Sequence, residues 1–179
     1  MIKLMDMINE SEKPKYEFGC VMLYFDFPEM ESMHDKINKD DIYTSEGGFG
    51  LEDEPHTTLL FGLHKEVTDE QIKDVLGRHK FGECQLHNAS LFENSQYDVL
   101  KFDVKGKGLH ECNSDLTKHP HTTNFPDYHP HLTIGYLKPG TGKKHTDLFN
   151  GLEYTLKPRY AMYSKPDGTK SKLEIGVSE

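Results

Sequence analysis

The chain has 179 residues, 35% of them hydrophobic and 28% charged, with a formal net charge of −9. That length suits one domain with a substantial buried core. The acidic balance excludes a non-specific polyanion binder, which needs a basic surface to track phosphates, and leaves room for a small anionic ligand in a local pocket. Residues 1–15 mix Lys, Asp, Glu and Asn with apolar residues, so neither a secretory h-region nor a span of ~18 apolar residues can be drawn there. The expected location is the cytoplasm. Cys20, Cys84 and Cys112 are odd in number, widely spaced and outside any C-x-x-C pair, which argues for reduced apolar fillers and against disulfides or a zinc knuckle.

After an uninformative start, residues 19–27 alternate Val21, Leu23, Phe25 and Phe27 against Cys20, Met22, Tyr24 and Asp26, the pattern of a half-buried strand. Residues 29–37 fit a short helix. Residues 39–54 are acidic and include Glu46-Gly47-Gly48-Phe49-Gly50, a loop able to border a site. Next comes Pro55-His56-Thr57-Thr58-Leu59-Leu60-Phe61-Gly62-Leu63, read as a strand with His56, Thr58 and Leu60 on one face and Thr57, Leu59 and Phe61 on the other. Thr68 and Gln71 have the spacing of a capping box that opens a helix carrying Ile72, Val75 and Leu76.

Residues 84–92 and 97–105 read as two strands, and residues 107–118 as a helix around Leu109, Cys112 and Leu116. Gly106-Lys107-Gly108 is too short for a phosphate loop. A polar loop over residues 119–128 leads to Pro130-His131-Leu132-Thr133-Ile134-Gly135-Tyr136-Leu137, a second strand with His131, Thr133 and Gly135 opposing Leu132, Ile134 and Tyr136. Residues 138–142 have turn chemistry. Residues 152–157, 159–164 and 170–177 read as strands, the last two joined by the hairpin turn Lys165-Pro166-Asp167-Gly168-Thr169. The order predicts an α+β protein with helices outside mainly antiparallel sheets.

Pro-His-x-Thr therefore occurs twice, each time opening a strand. A pair of imidazoles can act as base and acid near pH 7, and hydroxyls two residues on, pointing the same way, can donate to the non-bridging oxygens of a phosphodiester. His119-Pro120-His121 and His129-Pro130-His131 also form two H-x-H units that a metal could use, but no carboxylate falls at complementary spacing, and the expectation is no metal and no cofactor.

The doubled motif resembles that of the 2H phosphoesterase superfamily, which includes RNA 2′,3′-cyclic phosphodiesterases and the so-called 2′-5′ RNA ligases. Carried over to this chain, the resemblance spans roughly residues 17–177 and implies a single bilobal domain, residues 1–179, with two mainly antiparallel sheets facing a central cleft. It implies His56 and His131 as the catalytic pair and Thr58 and Thr133 as the phosphate-binding pair. Within the superfamily, the first-strand tyrosine, the acidic insertion and the Tyr- and Lys-rich C-terminal hairpin are most similar to the bacteriophage anti-CBASS phosphodiesterases that degrade host cyclic di- and trinucleotides. That implies Tyr24 as a base-stacking residue in substrate binding and a small cyclic oligonucleotide as partner, with no long nucleic acid and no membrane, in the host bacterial cytoplasm if phage-encoded. The group is expected to stack bases on tryptophan, which this chain lacks; Phe49, Tyr160 and Tyr163 are the other candidates. An RNA-processing 2H enzyme and a nucleotide-binding sponge without turnover are the alternatives. The preferred ring size, the nucleophile, the acid and base assignment and the oligomeric state stay open at the level of sequence.

Overall fold

The computed structural model describes residues 16–45 and 48–178; the N-terminal segment and Glu46-Gly47 of the acidic loop lie outside them. Its strands are β1 (Gly19–Asp26), β2 (Thr44–Ser45), β3 (Gly48–Phe49), β4 (His56–Leu63), β5 (Lys80–Phe81), β6 (Cys84–Glu93), β7 (Asp98–Gly106), β8 (His131–Leu137), β9 (Tyr154–Ser164), β10 (Lys170–Leu173) and β11 (Gly176–Val177). Helices α1 (Glu29–Asp35), α2 (Asp69–Gly77), α3 (Leu109–Leu116) and α4 (Gly142–Phe149) intervene. The chain thus runs β1-α1-β4-α2 and then, after β6, β7-α3-β8-α4, the same strand and helix order twice.

The expected α+β architecture is present; where two sheets were expected, the strands form one continuous seven-stranded sheet, whose halves are the triplets β4-β1-β9 and β8-β7-β6. They join at both edges. Thr57 of β4 pairs with Leu132 of β8, and residues 84–86 of β6 pair with residues 154–156 of the long strand β9. Every pairing in this ring is antiparallel, and β10 adds to the outer edge of β9.

Beyond the Thr57–Leu132 crossing, β4 and β8 diverge, and each is continued by a loop from the opposite half. Residues 120–122 run along β4, with Thr122 N–H donating to Gly62 O at 2.9 Å. Residues 42–43 and 50–52 run along β8, with Tyr136 N–H donating to Gly50 O at 2.9 Å. The motif glycines make these approaches possible. A Cβ on Gly62, whose φ is +114°, would lie 2.0 Å from Thr122 O, and one on Gly135 would lie 2.7 Å from Leu51.

Apolar residues from all four helices, among them Met33, Ile72, Cys112 and Phe149, pack with Val21, Leu23, Leu59, Leu132 and Ile134 in one core cluster. The capping box forms as expected: Gln71 N–H donates to Thr68 Oγ1 at 3.2 Å and Thr68 N–H to Gln71 Oε1 at 2.9 Å. Three further features depart from the sequence reading, the first being that residues 170–177 form β10 and β11 in separate sheets where one strand was expected. Helix α4 was not expected, because its buried face consists of Gly142, His145 and Phe149 while Leu148 is exposed; a core histidine hides the apolar stripe. Residues 154–164 form one strand where two were expected. Pro158 is accommodated because Tyr24 pairs with Tyr160 and Phe25 with Pro158, so Arg159 bulges out and the missing N–H interrupts no ladder bond.

Candidate active site

The Thr57–Leu132 pair sets the site. In an antiparallel ladder the register continues with opposite increments, so Thr58 stands across from His131 and His56 across from Thr133 on the face opposite the buried pair. Thr57 and Leu132 are 0% exposed, while all four motif side chains are partly exposed. The structure thus brings together His56, Thr58, His131 and Thr133, each histidine facing the other motif's threonine.

Both rings are held alike. His56 Nδ1–H donates to Glu54 O at 2.8 Å and His131 Nδ1–H to His129 O at 3.1 Å, which leaves Nε2 of each ring as the atom that takes or gives a proton. The intervening proline favours an extended residue before it, and its own carbonyl is anchored by the adjoining strand: Phe25 N–H donates to Pro55 O and Val104 N–H to Pro130 O, both at 3.0 Å. The posture is a local property of x-Pro-His, since His121 makes the same bond to His119 O at 2.8 Å. The convergence of the two strands is what distinguishes His56 and His131.

Immediately after each threonine the strand bulges. Thr58 pairs with Met22 and Leu60 with Val21, leaving Leu59 unpaired; Thr133 pairs with Lys101 and Gly135 with Leu100, leaving Ile134 unpaired. The bulges overturn the expected alternation beyond the motifs. Leu59 and Leu60 are both buried, while Phe61 is 58% exposed and pairs with Cys20 on the face of Met22 and Thr58. Tyr136 likewise pairs with Val99 on the face of Lys101 and Thr133. Strict period-2 reading placed Phe61 and Tyr136 on the apolar side, and a single extra residue per strand moves them to the site's face.

Tyr24 lies beside His56 as its register requires, but it is only 7% exposed, with ring centroids 5.2 Å from His56 and 5.1 Å from Tyr160. Neighbouring rings pack against it. Burial first, then the Glu54 carboxylate, pushes its phenol well above the usual value. Tyr163 is fully buried and donates to Val67 O at 2.7 Å, which removes it as a platform. Phe49 packs among Tyr43, Tyr97 and Tyr136, and the half-buried Tyr160 carries Lys172 Nζ 4.2 Å from its ring centroid.

The sequence reading missed the surroundings of His131. Asp103 pairs with His131 and Lys101 with Thr133. Lys101 is 6% exposed, donates to Ser90 Oγ at 2.8 Å and Asp103 Oδ1 at 3.0 Å, and has its Nζ 4.5 Å from the Phe92 ring centroid. Phe92 in turn stands edge-on to the His131 ring at 5.0 Å. Burial is the largest cause holding the His131 imidazole below its ordinary value, and the Lys101 and His56 charges add to it; the His129 carbonyl and Asp103 act the other way. Asp103 is itself held below the usual carboxylate range: burial opposes ionisation, and the bonds from Asn88 and Lys101 outweigh it. The alternation of Val99, Lys101, Asp103 and Lys105 on β7 was the available sequence signal for this cluster.

A groove of about 1600 Å³ reaches His131 and Thr58 and is lined by three lysines and four histidines against three carboxylates. In a chain of net charge −9, this is a local departure from the acidic surface. Among the described residues no three His, Cys, Asp or Glu side chains gather as a metal site, and no helix is long and apolar enough to cross a membrane.

No family model matches the chain, and no curated protein matches it. Its fold is similar to that of solved structures, among them the following three. One is Usb1 of Kluyveromyces marxianus with uridine monophosphate, with TM-score 0.52 and 11% identity over 89% of this chain and 99% of that one. Another is E. coli LigT complexed with 3′-AMP, with TM-score 0.53 and 15% identity over 91% of this chain and 100% of that one. The third is described as a phosphoesterase, with TM-score 0.50 and 17% identity over 87% of this chain and 98% of that one. The chain has the fold of the Usb1 and LigT structures, and its own two H-x-T motifs lie where β4 and β8 cross.

Proposed function

We propose that this protein is a metal-independent phosphodiesterase of the 2H type. The observation that supports the reading is the crossing of β4 and β8 at Thr57–Leu132, whose register sets His56 and Thr58 opposite Thr133 and His131 while each ring's Nδ1 is bonded to a backbone carbonyl. His131, held towards its neutral form, is the general base. Its Nε2 takes the proton of an attacking hydroxyl or water, a P–O bond forms, the bond to the leaving oxygen breaks, and that oxygen receives the proton of His56 Nε2. Thr58 and Thr133 donate to the non-bridging oxygens as negative charge grows on them.

The substrate we propose is a short phosphodiester-linked nucleotide, with a cyclic di- or trinucleotide first, on the strength of the sequence resemblance to the anti-CBASS enzymes and of the acidic net charge. Removing such a signal would counter host CBASS defence. The neighbours' ligands, uridine monophosphate and 3′-AMP, are compatible with a nucleotide. The second reading is an RNA-processing enzyme acting on a 2′,3′-cyclic phosphate or a 2′-5′ linkage. It is favoured by the groove of about 1600 Å³, larger than the ~300–1,000 Å³ of ordinary small-ligand sites. Incubation in EDTA with cyclic di- and trinucleotides, 2′,3′-cyclic nucleotides and 2′-5′ oligoadenylate, with products weighed by mass spectrometry, decides between them. Turnover of none with stoichiometric binding would leave a sponge, and loss of turnover in EDTA would overturn the metal-independent mechanism.

A further inference from the structure

The two bulges stand directly after the phosphate-facing threonines, and the carbonyl of each bulged residue is bound by a side chain from the helix of the opposite half. Asn113 of α3 donates from Nδ2 to Leu59 O at 2.6 Å. His34 of α1 donates from Nε2 to Ile134 O at 3.0 Å. The helix that follows β7 therefore ties the bulge on β4, and the helix that follows β1 ties the bulge on β8. A second donor from the same opposite half reinforces each tie: Tyr128 Oη donates to Thr58 O at 2.9 Å, and Glu52 N–H to Ile134 O at 2.9 Å.

We infer that Asn113 and His34 are positioning residues that set the direction of the Thr58 and Thr133 hydroxyls. The inference rests on the phosphodiesterase reading only for its kinetic consequence. A bulge carbonyl has no partner on the strand it bulges from, so its rotation is limited by the donors that reach it, Asn113 at Leu59 O and His34 together with the Glu52 N–H at Ile134 O, and its peptide plane begins at the threonine's neighbour. Holding that plane restrains the backbone three bonds from the threonine Cα, and with it the direction of the threonine Cα–Cβ bond. Because each donor comes from the other half, the tie also sets the spacing between halves, hence the distance between the two hydroxyls that share one phosphoryl group. Packing alone would not require two chemically different side chains, one on each of the corresponding helices α1 and α3, to reach equivalent carbonyls. The repetition across the two-fold relation is what marks the contact as part of the site.

The test uses Asn113→Leu and His34→Leu, which remove the donor, beside Asn113→Gln and His34→Gln, which keep one. Hydrogen exchange on substrate-free protein is expected to show lost protection confined to residues 58–60 in Asn113→Leu and to residues 133–135 in His34→Leu, with the thermal midpoint little changed. Kinetically, kcat is expected to fall on the order of tenfold with KM held within about twofold. The rate ratio for Rp and Sp phosphorothioate diastereomers should move towards one, and the Gln variants should recover most of both. Unchanged exchange at the threonines, or an unchanged diastereomer ratio with falling midpoint, overturns the inference. If the wild type turns over no phosphodiester, the functional reading falls, and the exchange data still decide whether the ties hold the bulges.

Discussion

Beside His56, on the neighbouring strand, stands Tyr24; at the equivalent place beside His131 stands Asp103. One strand position further, Met22 adjoins Thr58 where Lys101 adjoins Thr133. The next strand out continues the contrast, with Tyr160 and Met162 in the first half and His87 and Ser90 in the second. The backbone devices are shared: the x-Pro-His ring posture, the anchored proline carbonyl, the bulge after threonine and the cross-half tie. The first half surrounds its histidine with rings and thioethers, the second with an ionic cluster. Two nearly identical motifs can therefore perform opposite proton transfers, because a pKa responds to burial and nearby charge and not to the motif's own backbone.

The largest way to break the comparison is to remove the shared part. His56→Ala and His131→Ala should each lower kcat/KM on the order of 10²–10⁴-fold with the fold retained, measured by product formation beside a thermal melt. Near-wild-type activity in either variant would mean that the motifs do not act as a pair. Thr58→Ala and Thr133→Ala should each cost roughly 10²-fold, chiefly in kcat. A loss confined to one threonine would show that the phosphate sits against one half alone.

The difference between halves is sharpened by Lys101→Met. If His131 is the base, activity is lost as pH falls through its pKa, and the acid limb of kcat/KM lies below the ordinary imidazole value near 6.5. Deleting the Lys101 cation removes one cause of that depression and leaves Asp103, which acts the other way. The limb should therefore move to higher pH. A limb that stays in place, or moves down, would transfer the role of base to His56.

The shared devices were unequally legible in the sequence. Both Pro-His-x-Thr runs, their strand placement, the capping box at Thr68 and Gln71 and the apolar face of β1 follow from residue type and period. The bulges do not, because Leu59-Leu60 and Ile134-Gly135 carry no residue that announces an extra position; only the partner strand reveals it. Phe61 and Tyr136 were accordingly assigned to the wrong face, and the Arg159 bulge that admits Pro158 was hidden for the same reason. The position of Tyr24 beside His56 follows from period, while its depth does not, since the ring contacts with His56 and Tyr160 depend on which strands flank β1. The ties from Asn113 and His34 join residues far apart in sequence by one hydrogen bond each, with no periodic trace.

One position within the motifs breaks the two-fold in the core. Thr57 and Leu132 are the paired residues at the crossing and both are 0% exposed, yet one carries a hydroxyl. Among the described residues Thr57 Oγ1 has no hydrogen-bond partner, so folding strips the hydroxyl of water without return. The unpaired group costs about 1–3 kcal/mol on general grounds, and valine offers the same branched shape with a methyl in its place. Thr57→Val should therefore raise the thermal midpoint and leave kcat within about twofold, since the substituted atom lies on the face away from His56 and Thr58. A lower midpoint would show that the hydroxyl is bonded within the core. A stable but inactive variant would show that the crossing itself, and not only the polar face it presents, has to adjust during turnover.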